Sequence, residues 1–257
     1  MKCSKENVLI KNLNVGDIIE SRKFGKYVVI DIVNSGEVVI KFFNTGELTK
    51  VRAQQAKNGS VRDRKAPSVF GVGIIGDFPT NTTRQQSRAY RTWVKMLQRC
   101  YDERLRWKYP TYEGVTVSEN FKDFSFFWSW CQKQVGYDTP KWCLDKDILS
   151  KGSKIYSENT CCFVPHCINT IFTETKKSNT SGHVGVSSLK NGKFSATLTM
   201  YGKQVLLGKY EDFETAKQQY LLAKSQHIKV VALEYKNVLP NITYAAILEQ
   251  ANRLVGA

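Results

Sequence analysis

The sequence predicts an α+β protein built from three modules. Three observations carry that reading. Residues 17–51 alternate apolar and polar positions between Asn/Gly turns, residues 84–135 carry two helical stripes, and residues 181–228 pass through three strand-like segments into a helix. Apolar residues make up 42% of the 257 and charged residues 24%, so each module has enough apolar surface to bury a core. The expected boundaries are 1–78, 79–178 and 179–257.

In the first module, Ile18-Ile19, Tyr27 to Val33 and Val38 to Phe43 are rich in β-branched and aromatic residues. Asn34-Ser35-Gly36 and Asn44-Thr45-Gly46 each offer an Asn and a Gly for the left-handed positions of a hairpin loop. Four or five short strands with tight turns predict a small barrel of the SH3-like kind, decorated by Lys23, Lys26, Lys41 and Lys50. Such a fold leaves a docking role and a purely structural role both open. Gly71-Val72-Gly73-Ile74-Ile75-Gly76 matches the G-x-G-x-x-G string, but Asp77-Phe78-Pro79 follows it. A dinucleotide site needs a helix N-terminus there, so the string reads as a linker.

The middle module opens with a helix expected over Arg84 to Glu103. Ala89, Tyr90, Trp93, Met96, Leu97, Cys100 and Tyr101 keep its apolar stripe, while Arg84, Arg88, Arg91, Lys95 and Arg99 lie off it. Basic residues in that position either touch phosphates, with Arg88 and Arg91 as the candidates, or are simply solvated. Pro110 to Val117 reads as a turn and short strand, and Phe121 to Val135 as a second helix with Phe124, Phe127, Trp128 and Cys131 inward.

The chemistry lies in Leu144-Asp145-Lys146-Asp147-Ile148-Leu149 and in Tyr156-Ser157-Glu158-Asn159-Thr160-Cys161-Cys162-Phe163-Val164-Pro165-His166-Cys167-Ile168-Asn169. Together these resemble the H-N-H endonuclease signature, a ββα-metal unit in which a strand ends in Asp-His, a loop carries an Asn, and a helix carries a final His or Asn. Arg99-Cys100-Tyr101, Tyr109-Pro110-Thr111-Tyr112 and Trp128 are similar to the lead-in of phage-type members. The resemblance implies a divalent metal, Mg or Mn, at Asp145 and Asn169, and a loop held by Asn159. It also implies a histidine base where this chain has Lys146. An ordinary lysine is an ammonium at neutral pH and takes no proton from water. Three readings follow: a catalytically dead site that binds DNA, a different base such as His166 or Tyr156 or an unusual Lys146, or a shifted alignment. His166 stands three residues before Asn169, on the same side of a helix, as a metal ligand, a base or a plain surface histidine. Asp145 and Asp147 point to opposite faces of a strand, which weighs against a two-carboxylate site. Cys143, Cys161, Cys162 and Cys167 lack the paired knuckles of structural zinc and are expected as buried free thiols.

In the last module, Ser181 to Ser188, Lys193 to Met200 and Lys203 to Gly208 read as three strands, followed by a helix from Phe213 to about Ile228 capped by Asp212. His183-Val184-Gly185-Val186, Lys193-Phe194-Ser195-Ala196, Leu207-Gly208-Lys209-Tyr210 and the Ala216–Tyr220 helix resemble the ERF-type DNA-binding domain, which also occurs fused to mobile-element H-N-H proteins. The resemblance implies a sheet face that enters the major groove. Here that face would hold Ser187, Lys190, Lys193, Ser195, Thr197, Thr199 and Lys203. It lacks arginine, so phosphate contacts are expected from it rather than strong guanine readout. A terminal helix over Thr243 to Leu254 either covers a core or pairs two copies into a homodimer.

Charge ties the modules together. Lys and Arg number 38 against 23 Asp and Glu, a net +15, and every module carries part of the surplus. That favours a polyanionic partner, double-stranded DNA first. No apolar run reaches the length of a membrane span and no signal-peptide core follows Met1, so a cytoplasmic protein is expected, in a host cell if phage-encoded. Two functions remain: a homing-type endonuclease hydrolysing DNA phosphodiesters with a divalent metal, or a nuclease-derived regulator or counter-defence factor that only binds.

Overall fold

A computed structural model describes residues 13–77, 84–172 and 182–256. The chain is α+β and divides into two compact units, Met1–Thr82 with Lys122–Phe126, and Thr83–Phe121 with Phe127–Ala257.

The first unit is an antiparallel meander, β1 (Ile18–Ser21), β2 (Gly25–Asn34), β3 (Glu37–Phe42) and β4 (Leu48–Arg52), in that spatial order. Tyr27, Val29, Val38, Ile40 and Phe42 turn one face inward, and Ala56 of α1 (Ala53–Lys57) and Val61 close the core beneath it. The Tyr27 hydroxyl donates to the Ala56 carbonyl and ties α1 to the sheet. The expected barrel does not close: β1 and β4 are edges, and no fifth strand joins them among the described residues. Bulges leave Ile30 and Val33 of β2 without a partner in β3, which breaks the alternation there and leaves Ile30, Ile32 and Val33 exposed. The first hairpin also differs from expectation. Residues 34–36 stay out of the left-handed region, and the Asn34 side chain accepts the Gly36 N–H at 2.8 Å instead. Gly46, in the second loop, does adopt φ 69°.

The second unit begins with α2 (Arg84–Tyr101), whose Ala89, Trp93, Met96, Leu97 and Cys100 are buried. The single helix expected to Glu103 breaks at Asp102, whose carboxylate caps α3 (Glu103–Lys108) by accepting the Arg104 and Leu105 N–H groups. A 3₁₀ turn at Pro110–Tyr112 and β5 (Thr116–Val117) follow. The second expected helix is likewise two, α4 (Glu119–Lys122) and α5 (Phe124–Cys131). Between them Asp123 accepts the Ser125 N–H at 2.7 Å and the Phe126 N–H at 3.3 Å.

Then come β6 (Trp142–Asp145), β7 (Ile155–Tyr156), β8 (Cys162–Pro165) and α6 (His166–Phe172). β6 and β8 pair antiparallel, with Asp145 opposite Cys162, and β5 and β7 pair in parallel. Phe163 meets the rings of Trp130 and Tyr137, an aromatic cluster that extends to Phe121 and Phe127. Cys162 and Val164 instead join Ile168 of α6 in a second core.

β9 (Val186–Ser188), β10 (Phe194–Met200) and β11 (Lys203–Tyr210) form an antiparallel sheet under α7 (Phe213–Glu234). Gly185, at φ 79°, lies so close to Tyr220 that a Cβ would sit 2.1 Å from its ring and 2.8 Å from the Thr197 carbonyl oxygen. α7 runs six residues beyond the expected end at Ile228. Its Ala216 and Tyr220 cover the sheet, while Ile228, Val231 and Ala232 enter the core of α6 and α8 (Asn241–Arg253). One helix thus joins what were expected as separate modules 79–178 and 179–257, and the boundary between them lies outside the described residues. Ile247 and Ala251 of α8 are fully buried in this core, so of its two expected roles α8 fills that of a core cover. Cys100, Cys131, Cys143, Cys161, Cys162 and Cys167 are free thiols.

Candidate nucleic-acid interface

The strand–loop–strand–helix segment 142–172 holds the five residues expected to carry chemistry. Asp145 ends β6 half-buried, and its Oδ1 accepts the N–H groups of Asp147 and Ile148, both at 2.8 Å. Burial raises its carboxyl above the usual range, and the two backbone bonds oppose that shift. Lys146 turns back into the same loop. Its Nζ donates to Asp147 Oδ1 at 2.5 Å and to the Ser153 carbonyl at 2.8 Å, over the Tyr156 ring, with the side chain only 11% exposed. Gln250 of α8 closes the loop from the other side, its Nε2 donating to the Asp147 and Ile148 carbonyls at 2.8 Å each. Asp145 and Lys146 therefore hold up a loop.

Asn159 is exposed in the turn between β7 and β8. The turn is braced by its neighbours. Thr160 Oγ1 donates to the Ile155 carbonyl at 2.8 Å and lies 3.0 Å from the Ser157 nitrogen. Glu158 accepts from Ser118 Oγ at 3.0 Å and Asn120 Nδ2 at 2.6 Å. The Ser-x-x-Thr spacing at 157 and 160 was the available sign of this brace. His166 opens α6 at the surface, its Nδ1 3.5 Å from Cys143 Sγ, and Asn169 lies half-buried one turn on.

These residues make a poor cradle for the expected Mg or Mn. One oxygen of Asp145 is committed to its own loop, with Lys146 adding positive charge beside it. No group of three or more His, Cys, Asp or Glu side chains converges among the described residues. Arg88, Lys95 and Arg99 place three further cations within electrostatic reach of Cys143, two residues before Asp145 on the same strand face.

Arg88, Lys95 and Arg99 fall on one stripe of α2. Arg88 Nη2 donates to the Trp142 carbonyl at 3.0 Å, at the start of β6, and Arg99 Nη1 reaches the Tyr156 hydroxyl at 3.4 Å. Arg99 is half-buried and meets phenols where a carboxylate would be expected. Burial pushes the Tyr156 phenol well above its ordinary value, so it stays neutral. No carboxylate pairs with any of the three among the described residues. Arg91 lies exposed beside the stripe, its Nε on the Ser87 carbonyl at 3.2 Å. Lys95 and Arg99 were visible in sequence as off-core cations, but nothing there showed that no carboxylate pairs with them among the described residues.

The C-terminal sheet rearranges the expected polar face. Ser187, Lys190 and Thr199 are exposed and Thr197 is half-buried. Ser195 is buried, its hydroxyl on the Ser187 carbonyl at 3.4 Å, and Lys193 is ion-paired to Glu211. Lys203 pairs in register with Met200, which packs toward α7, and so leaves the face. A bulge then changes the far end of β11. Ala196 pairs with Gly208 and Thr197 with Leu206, so Leu207 is an extra residue and packs into the core. Gln204, Leu206 and Lys209, opposite Thr199, Thr197 and Ser195, take the face instead.

Comparison with family models, curated proteins and solved structures finds no match to this chain. Among the described residues no helix is long and apolar enough to cross a membrane.

Proposed function

We propose that the second unit is a DNA-binding clamp, built on an H-N-H-like ββα segment and an ERF-like sheet. The carrying observation is the stripe Arg88, Lys95 and Arg99, which meets β6 at Trp142 and β7 at Tyr156 and forms no carboxylate ion pair among the described residues. A half-buried guanidinium without counter-charge is unfavourable until an anion arrives, and a run of phosphates supplies one at each step. The order β6, loop, β8, α6 supports the H-N-H-like reading, and the close seat of Gly185 under Tyr220 supports the ERF-like one. Ser187, Lys190, Thr199, Gln204 and Lys209 extend the contact across the sheet. The meander of the first unit is read as an open relative of SH3-like barrels with a docking role.

Binding without cleavage follows from Lys146 and Asp145, both spent on their loop. The test is binding of a labelled duplex by wild type and by a Lys95→Gln, Arg99→Gln double variant. The double variant is expected to bind at least ten-fold more weakly at low salt, and equal affinity would remove the stripe from the interface.

A second reading, metal-dependent DNA hydrolysis, is favoured by one observation. His166 is exposed, and its Nε2 has no hydrogen-bond partner among the described residues. Supercoiled plasmid with magnesium or manganese decides between the two. The clamp leaves it intact, whereas nicking lost in His166→Ala establishes the enzyme.

A further inference from the structure

Trp107 is the most exposed large apolar side chain among the described residues, at 88%, and its indole has no hydrogen bond or ring contact. It belongs to an ordered element. Asp102 caps α3, the Arg106 N–H bonds the Asp102 carbonyl at 3.0 Å, and the Tyr109 N–H bonds the Leu105 carbonyl at 2.9 Å. Arg104 lies one turn before Trp107, Arg106 and Lys108 flank it in sequence, and Glu103 is the only acidic residue within the helix. Just beyond, Lys108 Nζ lies 5.5 Å from the centre of the exposed Tyr109 ring, and Tyr109 meets Tyr112 edge-on at 6.3 Å. Tyr112 in turn stands within the field of Arg99, at one end of the basic stripe. The aromatic segment therefore continues the proposed phosphate track.

From this geometry we infer that Trp107 is a stacking wedge for an unpaired nucleobase, an inference that rests on the nucleic-acid reading of the stripe. A flat, unpartnered indole among cations matches what a base and its flanking phosphates require: a π-face to stack on and charge to hold the backbone beside it. One exposed indole beside the half-buried Leu105 and the half-exposed Tyr109 offers little of the area a membrane or a hydrophobic peptide would need. The stripe holds the backbone, and Trp107 adds affinity wherever a base is free to leave its stack.

The experiment compares full-length wild type, Trp107→Ala, Trp107→Phe and the Lys95→Gln, Arg99→Gln variant. The probes are a paired duplex and the same duplex carrying one bulged base. Wild type is expected to prefer the bulged probe. Trp107→Ala should lose on the order of ten-fold on it and little on the paired one. Trp107→Phe should recover most of the loss, with melting temperatures unchanged. The slope of log affinity against log salt should stay as in wild type for Trp107→Ala and fall in the stripe variant. If Trp107→Ala binds both probes as wild type does while the stripe variant is impaired, the wedge is overturned and the clamp survives. If wild type binds neither probe, both readings fail. Loss of binding to phosphatidylserine vesicles in Trp107→Ala, with nucleic-acid binding unchanged, would also overturn the wedge and assign the indole to a membrane surface.

Discussion

Glu47, between β3 and β4, is 4% exposed and shares a buried site with Asp63. It accepts the N–H of Arg64 and, at 3.3 Å, that of Lys65, while Asp63 accepts from Thr45 Oγ1 at 2.6 Å. Burial, and then its hydrogen bond with Asp63, lift the Glu47 carboxyl from 4.5 to about 7. The folded state thus holds a proton that the unfolded state has already released. The stabilisation is complete below about pH 4.5 and is lost as pH rises through about 7. Thermal melts of the first unit's transition should fall over that window by the equivalent of about 1–3 kcal/mol. Glu47→Gln should flatten the profile, and parallel profiles would remove Glu47 as the cause. His227 in the second unit acts in the opposite sense. Burial lowers its pKa, so its stabilising contribution is lost as pH falls below 6.5. Lys146 carries another prediction at this scale. Lys146→Ala should destabilise the second unit by about 1–3 kcal/mol, the worth of charge-assisted bonds in a mostly buried setting, and leave DNA affinity nearly unchanged. A loss of affinity at unchanged melting temperature would make Lys146 a phosphate contact. The resemblance placed Asp145 and Lys146 at the end of a strand; Asp145 does end β6, and Lys146 is the first residue of the loop. Their engagement with Ser153 and with the backbone of residues 147 and 148 depends on how the loop folds back, which spacing does not encode.

At the scale of elements, strands and helices were legible where one periodicity ran undisturbed. The breaks at Asp102 and Asp123 were not, because the apolar stripe continues across each and only the capping carboxylates reveal the ends. β11 shows the same limit. Val205, Leu206 and Leu207 are three apolar residues in a row, so alternation cannot choose which two face inward, and the bulge at Leu207 decides it. The consequence is testable by exchange. Lys209→Ala should weaken duplex binding and reduce the salt slope by about 0.9, one phosphate contact, while Lys203→Ala should do neither. Loss of binding in Lys203→Ala with none in Lys209→Ala would contradict this face.

Over the whole molecule, the two expected modules of the second unit share a core because α7 is 22 residues long and its apolar positions continue past the sheet to Val231 and Ala232. The sequence reading ended α7 near Ile228 and so missed that continuity. Helices at the positions of α6 and α8 were expected, but their meeting with its far end was not, since neither names its partner. The +15 charge was plain from composition, whereas the placing of Arg88 and Arg99 of α2 against β6 and β7 needed the fold. The central claim is that this charge binds a duplex through several phosphates at once. Equilibrium binding of the full chain to a long duplex between 50 and 200 mM salt tests it most directly. The account predicts a steep linear fall, on the order of 10³-fold for six or so phosphate contacts. An affinity that barely moves across that range, or no measurable binding at its low-salt end, would contradict it.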